Sequence, residues 1–307
     1  MEPETLEPGT KILLVILGPT ASGKTELAIK LAQYLNTEII SADSRQFYRE
    51  LSIGTAKPSE NQLNAVRHHF IGNISITETY NISRFEKDVM QLLDNLFRNH
   101  DVVIMCGGSG LYIDAVCNGL DEQPENDILI RHNLIDEYRE MGIGFLREEL
   151  KRLDPEYYGQ VDLSNPNRLI RALEVCRATG RPYSSFRKGT IRERAFRTVK
   201  IGLDISRQVL VEKINARTDT MIAEGLVDEV RALASFRHLN ALNTVGYKEL
   251  FDYLDEKLPL EDAIEKIKIN TRRYAKRQVT WFRKDSDINW IDPELLASMI
   301  PGKTLNG

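Results

Sequence analysis

The chain has 307 residues, 42% of them hydrophobic and 28% charged. These proportions are ordinary for a soluble globular protein, and the length suits one large domain or a core domain with a smaller insertion. The longest apolar run, Ile12 to Leu17, is far shorter than the ~20 residues of a membrane span and leads straight into a glycine loop, so neither a membrane span nor a signal peptide is expected. Three cysteines, Cys106, Cys117 and Cys176, form no CxxC pair and no even disulfide set, so a cytoplasmic location is expected.

In chain order, residues 1 to 10 are polar, carry two prolines and read as a frayed terminus. "KILLVIL" lacks alternation, as a strand buried on both faces of a parallel sheet does. "ELAIKLAQYL" places Leu27, Ile29, Leu31 and Leu35 at roughly helical spacing, and "TEIISAD" predicts a short second strand ending at Asp43. Residues 84 to 98 are helical in pattern, and "DVVIMCGGSG" predicts a third buried strand with a glycine turn. After "GLDEQPEND" the pattern changes to amphipathic helices broken by "DPEYYG" and "LSNPN"; "VKIGLDIS" returns to a strand, and residues 207 to 283 are mostly helical. The expected fold is α/β, a P-loop-type parallel sheet core flanked by helices, with a helical insertion domain. The core takes residues 1–121 and 198–307, the insertion residues 122–197.

"GPTASGKT" matches G-x-x-x-x-G-K-[ST] at Gly18, Gly23, Lys24 and Thr25, between a buried strand and a helix. Glycines let backbone amides turn toward phosphate oxygens, the helix N-terminus adds its positive dipole end, Lys24 supplies a cation, and the Thr25 hydroxyl suits magnesium. ATP is the default ligand of such a loop. An ATPase usually adds an acid at the end of a second buried strand, but "VVIMC" runs into Gly107 and Gly108. A carboxylate does end another strand at Asp43. Three roles are open to it: magnesium ligand, general base, or N-cap of a helix beginning at Ser44.

The formal net charge of −4 argues alone against a nucleic-acid partner, but the distribution matters more. Ser164 to Lys200 carries ten basic residues against Glu174 and Glu193, a local +8. Glu265 to Lys284 carries eight against Glu265, a local +7. Two solvated helix faces and a polyanion partner explain these stretches equally well.

Six stretches together resemble one family: "GPTASGKT", "SADSRQFYRELSIGTAKPS", "GGSGLYI", "NPNRLIRALEV", "TVGYKEL" and "TRRYAKRQVTWFRK". In this order, from about residue 12 to 284, the chain resembles the bacterial tRNA dimethylallyltransferases, or tRNA isopentenyltransferases. The resemblance implies transfer of a dimethylallyl group from dimethylallyl diphosphate to the exocyclic amine of the adenosine just 3′ of the anticodon, with no ATP hydrolysed. It implies that Gly18, Thr20, Ala21, Ser22, Gly23, Lys24 and Thr25 hold the diphosphate, with Mg2+ at Thr25. Asp43 matches the family's catalytic aspartate, Ser109 stands where the family has threonine, and Arg217 in "EKINARTDTM" matches an arginine that grips the diphosphate. Contacts to the tRNA anticodon stem-loop are implied for Asp43, Ser44, Arg45, Gln46, Ser109, Arg131, Asn167, Arg168, Arg171, Lys276, Arg277 and Gln278. Arg272, Lys276 and Arg283 recur near helical spacing, and Arg273 and Arg277 sit four apart, so one helix face would track phosphates. A monomer is expected. The alternative is a P-loop small-molecule kinase using ATP, with the first basic stretch as its lid; a third reading is a non-enzymatic RNA-binding protein with a relic loop.

Other residues carry less. His68 and His69 have no acid or cysteine at metal spacing and read as structural or surface histidines. Trp281 and Phe282 suit base stacking or helix packing equally. Cys106 reads as a small buried apolar residue, and Tyr112 as a neighbour of the prenyl chain.

Overall fold

The computed structural model describes residues 9–121, 124, 127–189 and 191–299; most of the N-terminal segment expected to fray lies outside them. Six strands form one sheet: β1 (Ile12–Leu17), β2 (Ile39–Ser41), β3 (His68–His69), β4 (Val102–Gly107), β5 (Arg197–Leu203) and β6 (Ile288–Ile291). The order is β3-β2-β4-β1-β5-β6, and every pairing is parallel. β1 is central, with Ile12 opposite Val102 on one side and Arg197 on the other. Its alternate residues feed two cores, Leu13, Val15 and Leu17 on one face and Ile16 on the other. That two-sided burial is why "KILLVIL" shows no polar alternation.

Helix Lys24–Leu35 follows β1 and buries Leu27, Ala28, Ile29 and Ala32. Leu27 and Ile29 are buried as expected, whereas Leu31 is half-buried and Leu35 is 37% exposed, and Ala28 and Ala32 complete the stripe. Helix Ile82–Leu96 precedes β4 and begins at Asn81, whose side chain accepts the Arg84 N–H. Toward the C-terminus, helices Arg207–Ala223, Tyr247–Leu254 and Leu260–Phe282 complete the layer. No helix among the described residues is long and apolar enough to cross a membrane. The three cysteines are free and buried.

Two strands escaped the sequence reading. β3 is two residues long: His69 Nε2 lies 2.5 Å from the Glu38 carboxylate, and His68 Nδ1 lies 2.8 Å from the Val66 carbonyl. β6, "INWI", pairs with β5 at Lys200 to Leu203.

The chain divides into two compact units, one made of the segments up to Cys117 and from Arg194, the other Asn118–Glu193. Within the second, helix Ile128–Leu153 kinks at Gly142, where φ is +76°, and packs on helix Pro166–Thr179 through Leu134, Leu146, Leu150, Leu169 and Leu173. Pro166 opens the latter helix, and the Asn165 side chain caps it by accepting the Arg168 N–H at 3.3 Å.

Candidate active site

The carboxyl ends of β1, β2 and β4 meet at one cavity of about 270 Å³, where ligands bind in open parallel sheets. Residues 20 to 25 of the phosphate loop line it, with Asp43, Gln46, Arg217 and Gln278. Gly23 precedes the helix at φ +89°, a conformation that favours glycine, and no side chain caps the helix start. The first-turn amides therefore carry no side-chain cap, and the dipole behind them favours an anion at this position. Gly18 is not among the residues that line the cavity; a Cβ on it would lie 3.5 Å from Leu203 of β5.

Lys24 Nζ donates to the Pro19 carbonyl at 2.6 Å. Burial pulls its pKa down to about 8, the Arg217 guanidinium adds to the fall, and Cys106 and Asp43 oppose it. Arg217 Nη2 donates to Thr20 Oγ1 at 2.5 Å; burial lowers the Arg217 pKa, and Asp43 acts the other way. Two cations thus stand in a desolvated cavity, an arrangement that costs free energy until an anion enters. Ser22 Oγ is buried with no hydrogen-bond partner. Cys106 packs in the core as expected and also borders the cavity; burial raises its thiol to about 11, which leaves it protonated at neutral pH.

Asp43 lies two residues beyond β2. No helix begins at Ser44; Asp43 instead caps a turn, its Oδ1 accepting the Arg45 N–H at 3.0 Å and its carbonyl the Gln46 N–H at 3.2 Å. The N-cap role is therefore set aside. Ser109 comes alongside because the segment after β4 stays zipped to the segment after β2: Ala42 N–H donates to the Cys106 carbonyl at 2.8 Å, and Ser109 N–H to the Ala42 carbonyl at 3.2 Å. Gly107 permits this approach, since a Cβ there would lie 2.3 Å from the Ala42 oxygen. Ser109 Oγ accepts the Ser44 N–H at 3.0 Å. "GGSG" is thus a close-packed crossing rather than a flexible turn.

Several residues expected to read RNA are committed within the chain. Gln46 donates to the carbonyls of Thr55 and Ala56 at 3.2 and 3.0 Å and accepts from Ser41 Oγ at 3.2 Å. Arg45 Nη1 donates to the Asn240 carbonyl at 2.9 Å. Gln278 is 6% exposed, accepts the Thr20 N–H and donates to the Gly108 carbonyl, both at 2.8 Å. Its neighbours Lys276 and Arg277 are exposed, whereas Arg272 turns to Asn215 and Arg283 to Asp204. The basic face is therefore built from Arg273, Lys276 and Arg277 rather than from all five residues.

In the second unit, Asn167 and Arg168 are exposed on the first turn of their helix. Arg131 and Arg171 both bind the buried Glu174 carboxylate, at 2.9 and 3.1 Å. A buried carboxylate needs such partners, so part of the local +8 serves the fold. Arg177 likewise pairs with Glu137 and Glu149.

The sequence reading missed Thr55, Ala56 and Gln62 in the cavity wall, although the first two stand in the quoted "IGTAKP". It also missed Tyr274, whose hydroxyl burial raises in pKa, with Asp43 adding to the rise, and which bonds to Ser109. Tyr112 packs on Phe47 and Phe85 with ring centroids 5.7 and 5.2 Å away. Trp281 Nε1 donates to Asp114 at 3.0 Å, while Phe282 is buried.

A strand, an uncapped phosphate loop and a helix, with the Asp43 carboxylate lining the same cavity, define a P-loop-type α/β enzyme. The family model described as IPP transferase matches residues 46–285, and the chain belongs to that family. It is 50% identical over 282 residues to tRNA dimethylallyltransferase 1 of Bacteroides thetaiotaomicron, covering 92% of both chains. It is 54% identical over 280 residues to the tRNA dimethylallyltransferase of Christiangramia forsetii, covering 91% of this chain and 93% of that one. Among solved structures, the tRNA isopentenylpyrophosphate transferase of Bacillus halodurans matches with a TM-score of 0.69 at 35% identity, over 94% of each chain. A eukaryotic dimethylallyltransferase acting on tRNA matches with a TM-score of 0.78 at 27% identity, over 92% of this chain and 74% of that one. These relatives favour the transferase reading over the kinase.

Proposed function

We propose that this chain transfers the dimethylallyl group of dimethylallyl diphosphate to the exocyclic amine of the adenosine 3′-adjacent to the anticodon in tRNA, releasing diphosphate. The observation that carries the reading is one cavity that brings together two half-buried cations, Lys24 and Arg217, the uncapped amides of the phosphate loop, and the Asp43 carboxylate just beyond β2. Homology to named tRNA dimethylallyltransferases at 50% identity supports it.

The adenine amine is a poor nucleophile because its lone pair is delocalised into the ring. Diphosphate leaves readily once its charge is met. Lys24, Arg217 and the first-turn amides stabilise the negative charge that grows on the bridging oxygen. As the amine nitrogen bonds to the allylic carbon, the carbon–oxygen bond breaks and the amine proton passes to Asp43. The turn amide of Arg45 orients the Asp43 carboxylate, and Ser109 and Ser44 place hydroxyls beside it for the adenosine.

The residues present fit Mg2+. The oxygen donors at the cavity include the Thr25 hydroxyl, the partnerless Ser22 Oγ and the carboxylates of Glu26 and Asp43, all hard ligands. The described residues hold no cluster of three or more His, Cys, Asp or Glu. Magnesium tolerates this, because it takes one or two protein ligands and fills the rest with waters and substrate phosphates. Thr25 would hold it, and when bound it neutralises charge on the diphosphate.

For the tRNA, the exposed Asn167 and Arg168 of one unit and Lys276 and Arg277 of the other supply phosphate contacts. The target base is extruded from the anticodon loop at a cost of a few kcal/mol, roughly. The chain acts as a monomer in the cytoplasm. The test is transfer of allyl-labelled dimethylallyl diphosphate to tRNA from cells lacking the modification; unlabelled tRNA together with ATP consumption would favour the kinase.

A further inference from the structure

Helix Leu260–Phe282 buries Ala263, Ile267, Ala275, Gln278 and Phe282, a stripe at helical spacing. Every member is apolar except Gln278. A glutamine in an apolar stripe costs stability unless both ends of its amide are satisfied. Here they are, by two backbone groups from opposite walls of the cavity: Oε1 accepts the Thr20 N–H, and Nε2 donates to the Gly108 carbonyl, each at 2.8 Å. The side chain thus crosses from the phosphate loop to the turn after β4.

The far wall is shaped to admit it. A Cβ on Gly108 would stand 2.2 Å from Gln278 Nε2, so any side chain there would displace the amide. On the near wall, Thr20 is held twice, by Gln278 at its N–H and by Arg217 at its Oγ1. Next to it, the Pro19 carbonyl holds Lys24 Nζ. The Thr20 amide is therefore spent within the protein and does not meet phosphate. Its bond to Gln278 fixes the front half of the loop, on which both cations rest.

We infer that Gln278 is a positioning residue of the phosphate loop: it sets the Thr20 peptide, and through it Arg217 and Lys24, for the diphosphate, and it makes no contact with RNA. Lys276 and Arg277, two positions and one position earlier on the same helix, are exposed while Gln278 is buried. The inference rests on the proposed donor site and changes the role that the family resemblance implies for Gln278.

The test measures two equilibria on the full chain: calorimetric binding of inorganic diphosphate with magnesium, and filter binding of tRNA. Gln278→Leu keeps the volume and removes both bonds. Gly108→Ala leaves Gln278 in place and pushes its amide aside. Each is expected to weaken diphosphate binding by about tenfold, the worth of one well-placed buried hydrogen bond, to leave tRNA affinity within about twofold, and to raise KM for the donor more than it lowers kcat. The double variant is expected to be no weaker than the single ones, because both act through one bracket. Gly108→Ala, which adds no charge and leaves the Gln278 side chain in the sequence, decides the matter if Gln278→Leu does not fold. Weakened tRNA binding with unchanged diphosphate affinity would overturn the inference and make Gln278 an RNA contact. Failure of the unaltered protein to bind diphosphate would overturn the donor site itself, and the inference with it.

Discussion

Tyr247 donates its hydroxyl to Glu229 at 2.6 Å, and the same carboxylate accepts three successive backbone N–H groups, from Ser52, Ile53 and Gly54, at 3.1, 2.8 and 3.1 Å. The loop so held continues into Thr55 and Ala56, which line the cavity and whose carbonyls hold Gln46. This ties "TVGYKEL" to "LSIGTAKP": one supplies the tyrosine that braces the acid under the other. Burial, with Glu229 adding, raises the Tyr247 pKa, so the hydroxyl stays a donor across the working pH range.

Glu229→Ala leaves three amides and a hydroxyl without their acceptor. Hydrogen bonds to a charged group contribute about 1.5–3 kcal/mol each, and water takes up part of the loss. Urea unfolding is expected to show a loss of about 2–4 kcal/mol. Tyr247→Phe removes one of the four bonds and is expected to cost about 1 kcal/mol.

The sequence revealed most where a structural demand falls on consecutive residues. β1, the phosphate loop and the helix after it are one continuous signal, since two-sided burial yields an unbroken apolar run and the anion cradle needs glycines at fixed offsets. β3 and β6 were hidden because they are short strands at the two edges of the sheet, where His68, His69, Asn289 and Trp290 leave no apolar run. The commitments of Gln278 were hidden for another reason: its partner Thr20 is 258 positions away, and nothing local shows that pairing. Its place in an apolar stripe was the available signal. Arg131 and Arg171 look like RNA ligands in composition, but the buried Glu174 between them accounts for part of that charge.

If the loop holds diphosphate as proposed, Lys24 is expected to make that affinity depend on pH. Its pKa is lowered to about 8 in the free site, and bound diphosphate, a multiply charged anion, draws the proton back. Below about pH 8 the lysine is charged in both states, so affinity is level. Above it, binding must take up a proton, and Kd is expected to rise about tenfold per pH unit. Calorimetry between pH 7 and 9.5 in buffers of different ionisation heat checks both the slope and the proton uptake. Lys24→Arg, charged throughout, is expected to remove the slope.

Gly107→Ala places a methyl 2.3 Å from the Ala42 carbonyl oxygen. The obstacle is backbone, so the crossing of the segments after β2 and β4 must open, which parts Ser109 from Ser44 and Asp43. The expected outcome is transfer reduced by at least about a hundredfold, in line with the cost of misplacing reacting groups by ~1 Å. Steady-state transfer rates, with circular dichroism to follow the fold, check this.

Lys276 and Arg277 are exposed on the C-terminal helix. If both meet phosphates, the double alanine variant weakens tRNA binding and lowers the steepness of log K against log salt by about one per lost contact. Filter binding from 50 to 300 mM salt, roughly the range over which counterion release dominates, measures the change. Diphosphate affinity is expected to stay level, in contrast with the Gln278 variants.

The central claim is that Asp43 takes the amine proton while the phosphate loop holds the departing diphosphate. The direct measurement is transfer of allyl label to unmodified tRNA by the unaltered protein and by Asp43→Asn, side by side with diphosphate binding to both. The account predicts label in tRNA with the unaltered protein, a loss of about two to four orders of magnitude in the variant, and diphosphate bound by both. Full transfer by Asp43→Asn would contradict the assignment of the base, and no transfer by the unaltered protein would contradict the reaction.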